Sequence, residues 1–399
     1  MKDNELKKRI SELFPQLVEM RRDFHKHPEL GFEEIRTNSK ICEYLKAWNI
    51  DYVSGIAKTG VIATIYGEKS GEGKVVGIRA DIDAIPATEE NCINYKSENI
   101  GVMHACGHDA HMTMLLAAGK VLYDTKETWS GCVKLFFQPA EESDGGAKPM
   151  IEQGCLKNPD VDYTIGLHVM PHIETGQVEL KYNQLNASSD KILISIKGKS
   201  AHGAYPDQGI DAISISGQII TGLQSIVSRN VSPVDSLVIT IGTIEGGTKY
   251  NNIADQVYMT GTLRATNEAT RAFAKVRIKE LVEMITKANG GSARVEIEEG
   301  YPTLVNDHDV VKVIEEVCKE SLGENNIVYK AAPSLGVDDF AYFTQSGKAA
   351  YYHLGCGNIS EGISEGLHNV NFNIDEECLK VGALIHVKTT LKLLGNESF

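Results

Sequence analysis

Long apolar runs are missing from this sequence. No stretch approaches the ~18 consecutive apolar residues that a membrane-spanning helix needs. Residues 1–20 are charged and amphipathic, and they lack the continuous apolar core of a signal peptide. We therefore predict a cytoplasmic protein that has no membrane partner.

Cysteine pairs and a basic stripe are also missing. The eight cysteines are scattered and form no Cys-x-x-Cys pair, which favours reduced thiols over a disulfide framework. The formal net charge is −14, and no Lys/Arg stripe interrupts this acidic balance. A duplex-binding protein needs such a stripe, so the composition argues against a nucleic-acid partner. An anionic substrate would need a local cation to receive it.

The chain is too long for one small core. It has 399 residues, whereas single cores stop growing near ~250–300 residues, so we expect two domains. Hydrophobic residues make up 42% and charged residues 24% of the chain, which is typical of a globular protein. The sequence contains no internal repeat and no low-complexity tract.

Three apolar runs in the first half of the chain each end in polar residues. They cover residues 75–86, 132–142 and 161–171, and each begins as a buried strand. Residues 108–124, between the first two runs, have helical character, and we expect Asp109 to help start that helix. Strands that alternate with helices predict an α/β domain with a mostly parallel sheet.

The chemically interesting side chains of this region all follow the apolar runs. They are Asp81, Asp83, Glu141, Glu142 and His168. In open α/β sheets, ligands bind in the crevice at the carboxyl ends of the strands. The sequence therefore predicts a site at this edge of the sheet.

The pattern changes near residue 185. From there to residue 299 the predicted order is strand, helix, strand, strand, helix, strand, the βαββαβ order of a ferredoxin-like unit. We predict that this unit, residues 185–299, is inserted in a larger α/β domain formed by residues 1–184 and 300–399. An antiparallel sheet of this kind exposes edge strands, and pairing of such edges is one route to a homodimer.

Residues 104–111, HACGHDAH, concentrate groups that can bind a metal. Cys106 and His108 are two residues apart in a glycine-containing loop. A thiolate and an imidazole suit a borderline or soft divalent ion such as Zn²⁺, with Mn²⁺, Co²⁺ and Ni²⁺ as alternatives. This segment alone supplies two donors and leaves the others to be found elsewhere.

Further donors follow the other strands and one loop. Glu141 and Glu142 are adjacent acids at the end of a buried strand, a costly arrangement unless a cation offsets their charge. One of them can bind the cation while the other faces the substrate and holds a proton. The predicted ligands are Cys106, His108, Glu142, His168 and His368, enough for two metals that share a ligand or a water. A pair of metals ~3.5–4 Å apart suits amide hydrolysis.

Seven segments follow one another in a distinctive order: RRDFHKHPELGFEE, GIRADIDAIP, MHACGHDAHM, FFQPAEES, GLHVMP, GKSAHGAYPDQGIDAI and LHNVNF. Together they resemble the aminoacylase/carboxypeptidase metallopeptidase family, and within it the amidohydrolase branch. That branch includes hippurate hydrolases, N-acyl-amino-acid amidohydrolases, indoleacetyl-amino-acid hydrolases and N-acetyldiaminopimelate deacetylases. The resemblance covers nearly the whole chain, and HACGHD together with QPAEE is its most specific part.

The resemblance implies a catalytic α/β domain with a two-metal centre and an inserted ferredoxin-like domain used for dimerisation and as a lid. It assigns Glu141 as the general base and the same five residues as metal ligands. Wider members of the family use a His-x-Asp-x-x-Pro motif for their first ligand. Here Asp81 replaces that histidine, which is characteristic of the branch and leaves the role of Asp81 open. We expect Asp83 to support the site from behind the ligands.

Three residues of the insertion also match family motifs. His202 in SAHGAYP resembles the histidine that reaches the partner subunit's active site and stabilises the oxyanion. Asn252 in NNIAD and Arg264 in GTLRA resemble residues that hold the substrate's carboxylate. The chain has Asn252-Ile253-Ala254 where the family commonly has Asn-Val-Ile-Pro, and Asp338-Asp339-Phe340 where Glu-Asp-Phe is common. The second difference bears on substrate contacts.

The expected activity is hydrolysis of the amide bond of an N-acyl amino acid by a homodimer with two divalent metal ions per subunit, Zn²⁺ or Mn²⁺, with Co²⁺ or Ni²⁺ as alternatives. A di- or tripeptide metallopeptidase would use the same chemistry on a substrate with a free α-amine. A non-catalytic metal-binding protein is disfavoured, because a structural site closes its coordination shell and has no spare base such as Glu141. A redox role for Cys106 lacks a resolving cysteine nearby in the sequence.

Overall fold

A computed structural model describes residues 3–71 and 73–395, and their contacts divide them into two units. The first unit takes the described residues up to Asn183, Val305–Ala331 and the described residues from Tyr342 onward. The second unit takes Gln184–Leu304 and Ala332–Ala341. Each unit has a hydrophobic core of its own, as domains do.

The N-terminal part of the first unit starts with two helices and then alternates strands with helices. Its elements are α1 (Asp3–Lys26), α2 (Ile35–Ala47), β1 (Asp51–Ile56), β2 (Gly60–Tyr66), β3 (Val75–Asp81), α3 (His108–Asp124), β4 (Cys132–Gln138), α4 (Ala147–Glu152), β5 (Tyr163–Glu174) and β6 (Val178–Leu180). Helix α1 buries Leu6, Ile10 and Leu17 on one face, at intervals of one or two helical turns. β3 and β4 are buried along their whole length, as strands of a covered parallel sheet are.

The elements of the middle segment are β7 (Asn183–Asn186), β8 (Ser188–Lys197), β9 (Ala201–His202), α5 (Ala212–Ser225), β10 (Leu237–Gly246), β11 (Asn252–Ile253), β12 (Gln256–Ala265), α6 (Glu268–Ala288) and β13 (Ser292–Glu299). Four of these strands form an antiparallel sheet in the order β10-β12-β8-β13. Both helices of this segment have a capping side chain at their start. Asp211 accepts first-turn N–H groups of α5, and Asn267 accepts a first-turn N–H group of α6. The helices and the sheet enclose the core of the second unit.

The C-terminal segment contributes further strands and helices. Its elements are β14 (Leu304–Asn306), α7 (His308–Leu322), β15 (Ile327–Tyr329), α8 (Ala341–Ser346), β16 (Lys348–Gly357) and α9 (Cys378–Leu393). Within the first unit, α9 packs against α1, α3 and α7. Among the residues that the structure describes, no helix has both the length and the apolar character needed to cross a membrane.

The eight-stranded sheet of the first unit has the order β1-β2-β4-β3-β5-β16-β6-β15. Its four central strands, β4, β3, β5 and β16, run parallel. β1 and β2 on one side and β6 on the other join through antiparallel pairs. The prediction of a mixed α/β fold with a large, mostly parallel sheet is confirmed.

The start of α3 depends on a glycine. The helix begins at His108, and its N-cap is Gly107 in the left-handed region, with a φ of 83°. A Cβ at Gly107 would lie 2.3 Å from Val169 Cγ2, so conformation and space both require glycine there. Asp109 lies inside the first turn, where its charge complements the helix dipole, and it does not act as the cap.

Candidate metal centre

The predicted site lies where neighbouring strands of the eight-stranded sheet reach their carboxyl ends. β3 ends at Asp81, and β4 leads into the Glu141–Glu142 pair. β5 pairs with β3 through Gly166 and Arg79, two residues before His168 and Asp81 respectively. Because parallel strands end at the same edge of a sheet, side chains from separate segments meet there.

The five predicted ligands and Glu141 form one cluster of potential metal-binding groups. Its members fall into three overlapping triplets. Within each triplet, the donor atoms lie within 4.8 Å of one another. The triplets are Cys106–His108–His168, Cys106–Glu142–His368 and His108–Glu141–Glu142. The structure therefore brings together residues from four separate segments of the chain.

Individual distances connect these triplets. Cys106 Sγ lies 3.4 Å from His168 Nε2. His368 Nε2 lies 3.0 Å from Glu142 Oε1, and His108 Nε2 lies 4.0 Å from the same oxygen. The sulfur, the imidazole nitrogens and the carboxylate thus converge on a common space, and this donor set suits borderline divalent cations.

The hydrogen bonds of two histidines leave their Nε2 atoms available as ligands. His108 Nδ1 donates to the carbonyl of Asp83 over 2.9 Å, and His168 Nδ1 donates to the carbonyl of Val169 over 2.7 Å. A carbonyl only accepts, so whenever either ring is neutral its proton is on Nδ1 and its lone pair is on Nε2, where a cation can bind. Fixing the tautomer through the second nitrogen is the usual support of a metal-binding histidine.

A third histidine at the cluster, His111, has both nitrogens engaged. Its Nδ1 lies 2.6 Å from Asp81 Oδ1, and its Nε2 accepts the backbone N–H of Val169 over 2.9 Å. The lone pair that a metal would need is therefore already used. His111 acts on the site through Asp81, although its donor atom lies near those of Asp81 and His108.

Asp81 is a fully buried carboxylate with two strong partners. Arg79 donates to its Oδ2 over 2.6 Å, while His111 donates to Oδ1. Burial opposes the charge of Asp81, but His108, Arg79 and His111 outweigh this and lower its pKa well below the ordinary value. The lowered pKa favours a buried negative charge on Asp81, 3.7 Å from His108 Nε2.

The electrostatics of the cluster favour a cation. Burial and the neighbouring Glu142 and Glu141 raise the pKa of the Cys106 thiol well above its ordinary value. Burial opposes protonation of His108, yet the carboxylates of Asp81 and Asp83 outweigh it and raise its pKa to about 10. A divalent cation relieves both effects, because it stabilises the thiolate and takes the place of the proton.

An orphaned buried atom supports the same conclusion. His108 Nε2 is buried and makes no hydrogen bond within the described part of the chain. A buried polar atom left without a partner is costly. Since a His108 nitrogen lies within 4.8 Å of the Cys106, His168 and Glu142 donor atoms, the residues fit a metal centre.

Two site residues have strained backbones. His368 and Ala140 are non-glycine residues with φ values of 63° and 55°, in the left-handed region. The N–H of His368 donates to the carbonyl of Ala105 over 2.8 Å, which ties its loop to the loop of Cys106. Such strain costs about 1–3 kcal/mol per residue and clusters at functional sites.

The other predicted site residues lie in the second unit. His202 is exposed and lies in β9, opposite Asn252 in β11, and its Nδ1 accepts the N–H of Ala204 over 3.1 Å. Arg264 lies on β12 and its guanidinium donates to the carbonyl of Leu335 over 3.4 Å. The structure thus pairs His202 with Asn252 and keeps Arg264 on a different sheet.

The sequence motifs contain the donors of the site but only part of the residues that support those donors. Arg79 and His111 both donate to Asp81, and of the two Arg79 was not predicted as part of the site. Arg79 stands two residues before Asp81 in a buried strand, so both side chains point to the same face. An arginine two residues before an aspartate in a buried strand was the sequence feature that could have predicted the Arg79–Asp81 ion pair.

Comparison with known proteins places the chain among metallohydrolases. The profile of peptidase family M20/M25/M40 matches residues 77–392. The hippurate hydrolase of Campylobacter jejuni is 36% identical, over 96% of this chain and 98% of its own length. Thermostable carboxypeptidase 1 of Saccharolobus solfataricus is 37% identical, over 97% of this chain and 98% of its own length.

A solved structure agrees with these matches. The crystal structure of a dinuclear metal-binding peptidase of family M20 from Bacillus subtilis superimposes with a TM-score of 0.84 at 32% identity. The match covers 97% of this chain and 99% of the other. The predicted resemblance is confirmed: the chain belongs to peptidase family M20/M25/M40 and is a hydrolase of amide bonds.

Proposed function

We propose that the protein hydrolyses the amide bond of N-acyl amino acids, giving a carboxylic acid and a free amino acid. The observation that carries this proposal is the position of Glu141, whose carboxylate lies within 4.8 Å of the His108 and Glu142 donor atoms. A second carboxylate beside a metal-binding cluster is what hydrolysis by an activated water requires. The similarity to a hippurate hydrolase supports an N-acyl amino acid as the substrate class.

The proposed metal ligands are Cys106, His108, Glu142, His168 and His368. They would hold two divalent ions per subunit, Zn²⁺ or Mn²⁺, with Co²⁺ or Ni²⁺ as alternatives. When bound, such ions supply Lewis-acid activation of a water and of the acyl carbonyl. The mixed sulfur, nitrogen and oxygen donors support this assignment, as does the dinuclear character of the Bacillus subtilis relative.

In the proposed reaction, different residues transfer the proton, stabilise the oxyanion and bind the substrate carboxylate. Glu141 takes a proton from the attacking water and later gives it to the leaving nitrogen. His202 stabilises the developing negative charge on the acyl oxygen. Asn252 and Arg264 hold the carboxylate of the amino-acid part, and the planar fork of Arg264 suits a bidentate pair. In a chain of net charge −14, such a local cation favours an anionic substrate.

We propose that Gln184–Leu304, the larger part of the second unit, contains the predicted ferredoxin-like insertion of residues 185–299, used for dimerisation and as a lid. The order of β8, α5, β10, β12, α6 and β13 along the chain supports the βαββαβ assignment. β10 and β13 are the edges of its sheet. An edge strand offers unpaired backbone groups to a second copy, which supports a homodimer.

A peptidase is the second candidate, because the thermostable carboxypeptidase of Saccharolobus solfataricus is as similar as the hippurate hydrolase. Both activities cleave an amide next to an amino acid with a free carboxylate. They differ in what lies on the acyl side, an acyl group or a residue with a free amine. Substrate specificity therefore separates the two candidates.

The test measures amine release from N-acetyl and N-benzoyl amino acids and from free dipeptides, with and without a chelator. Chelator-sensitive cleavage of the N-acyl substrates is the expected result, and exclusive cleavage of dipeptides would favour the peptidase. Glu141→Gln should lower kcat about 10²–10⁴-fold, the range of general-base catalysis, and keep its metals. Glu142→Gln, the matched control, should lose metal by elemental analysis. Full turnover in Glu141→Gln would contradict the base assignment.

A further inference from the structure

The segment HPELGFEE, residues 27–34, forms the loop between α1 and α2 and so far has no role in the proposed chemistry. Part of it is explained by local structure. The carboxylate of Glu29 accepts the N–H groups of Arg36 and Thr37 over 3.0 and 2.8 Å, so it caps the first turn of α2. A second acid of the same loop, Glu34, is not explained in this way.

Glu34 is fully buried, with 0% of its surface exposed. Its Oε1 accepts the backbone N–H of Ala140 over 2.9 Å, and its Oε2 accepts the hydroxyl of Thr59. Burial raises the pKa of Glu34, although these hydrogen bonds act in the opposite direction. A buried carboxyl group is costly to keep, so its contacts point to a role beyond packing.

The partner of Glu34 stands directly before the proposed base. Ala140 has a φ of 55°, a conformation that a residue with a Cβ does not adopt without support. On the other side of Glu141, the N–H of Glu142 donates to Asp83 Oδ2 over 2.9 Å. Two buried carboxyl groups from separate segments therefore hold the amides that flank Glu141.

The loop of residues 27–34 contacts the turn that contains Glu141 through Gly31. A Cβ at Gly31 would lie 2.3 Å from Ser143 Oγ and 3.0 Å from Ala140 Cα. This spacing leaves room for glycine alone unless the turn moves. Gly31 thus lies directly against Ala140 and Ser143, and the Glu34 side chain of the same loop accepts the N–H of Ala140.

We propose that Glu34 is a positioning residue that holds the 140–143 turn in the conformation from which Glu141 acts as the base. The inference rests on the proposed function of Glu141. It gives the HPELGFEE segment a role at the site, although the segment is distant from the proposed ligands in the sequence. Without the acceptor on Glu34, the N–H of Ala140 loses its partner and the strained turn relaxes, which displaces the Glu141 carboxylate.

The consequence is a loss in kcat with little change in KM. A displacement of about 1 Å at a catalytic group costs up to about 100-fold in rate, so we expect a fall of about 10- to 100-fold. The metals should stay, because Asp83 still holds the amide of Glu142 and the other ligands belong to other segments. A purely structural residue would lower stability and leave kcat of the folded enzyme unchanged.

The experiment compares Glu34→Met, Glu34→Gln and Glu33→Ala in the full-length enzyme. Methionine keeps the length of the side chain without the acceptor, whereas glutamine retains a carbonyl for Ala140 and an amide for Thr59. Glu33 is the matched control, since it is the preceding glutamate and is exposed. For each variant, kcat and KM on N-benzoylglycine, bound metal by elemental analysis and hydrogen exchange of residues 137–146 are measured.

The expected result is a lower kcat and faster exchange of that peptide in Glu34→Met, rescue in Glu34→Gln and no change in Glu33→Ala, all at unchanged metal content. Normal kcat in Glu34→Met, or loss of metal together with activity, would overturn the proposal. If the wild-type enzyme cleaved no N-acyl substrate, the proposed function would fail while hydrogen exchange still tested the hold on the turn. Should Glu34→Met not fold, Thr59→Val removes the other bond of Glu34 and should give a smaller fall in kcat.

Discussion

Asp109 directly follows the proposed ligand His108 and is itself completely buried. Its Oδ2 lies 2.8 Å from Arg21 Nε and 2.7 Å from His25 Nδ1. Burial opposes the charge, but Arg21 and His25 outweigh it and hold the pKa of Asp109 well below its ordinary value. The ion pair therefore anchors the first turn of α3 to α1, and with it the ligand next to Asp109.

We predict that Asp109→Asn lowers the free energy of unfolding of the first unit by about 3–5 kcal/mol, because it leaves the buried Arg21 without its main counter-charge. The measurement is urea unfolding with a chelator present, so that metal binding does not contribute. Tryptophan fluorescence reports on this unit, since Trp48 and Trp129 are the two tryptophans of the chain and both lie in it. Asp124→Asn, on the exposed end of the same helix, is the control and should cost less than about 1 kcal/mol. Equal urea midpoints for the two variants would contradict the prediction.

At the residue level, the sequence identified donors better than it identified their supports. Cysteine, histidine and adjacent glutamates in short motifs indicate a metal site by residue type alone. The tautomer of His168 depends on a carbonyl that any residue at Val169 would supply, so residue type carries no signal for it. The contact between Glu34 and Ala140 joins residues 106 positions apart, and local spacing cannot predict such a contact.

At the element level, the predicted strands and helices were close to the observed ones wherever an apolar run had clear ends. The predicted helix 108–124 matches α3, and the strand starting at residue 132 matches β4. β16 was not predicted, although it lies in the middle of the sheet between β5 and β6. Its sequence, KAAYYHLGCG, mixes buried tyrosines with histidine and glycines, so neither alternation nor a continuous β-branched run marks it.

One end of this sheet is held by a partly buried charged group, the carboxylate of Glu179. Glu179 on β6 accepts from His353 on β16 over 2.7 Å and from Lys330, just after β15, over 3.0 Å. Burial opposes the charge of Glu179, but the bonds from His353 and Lys330 outweigh it and lower its pKa to about 2. Burial also lowers the pKa of His353. Residues of β6, of β16 and of the segment after β15 therefore meet at one carboxylate.

We predict that Glu179→Gln destabilises the first unit most at neutral pH and progressively less in acid. The folded pKa of about 2 is below the ordinary 4.5, so the stabilisation is complete above pH 4.5 and is lost as the pH falls toward 2. The shift corresponds to at most about 3 kcal/mol. Urea unfolding from pH 7 to about pH 3 measures the difference from wild type, with the exposed Glu174→Gln as control. A difference that did not shrink in acid would contradict the prediction.

At the scale of the whole molecule, the proposed machinery is divided between two units. Glu141 and the proposed ligands belong to the first, whereas His202, Asn252 and Arg264 belong to the second. Motif order along the chain predicted each set separately, because each motif is a local sequence feature. Sequence patterns give no distance between two such sets, since that distance depends on how whole units assemble. The role of His202 is therefore best tested with dimers that combine two different variant subunits.

We predict that the protein sediments as a homodimer and that His202 acts on the active site of the partner subunit. Glu141→Gln and His202→Ala should each be nearly inactive alone. In a mixed dimer, the subunit with an intact Glu141 receives an intact His202 from its partner, so one of its two sites works. Random pairing of equal amounts then restores about one quarter of wild-type activity. The subunits are mixed by co-expression, and turnover on N-benzoylglycine is compared with each variant alone. A mixture of Glu141→Gln with the double variant is the control and should stay inactive, because neither subunit has the base. If the first mixture were no more active than its separate components, His202 would act within its own subunit or not at all.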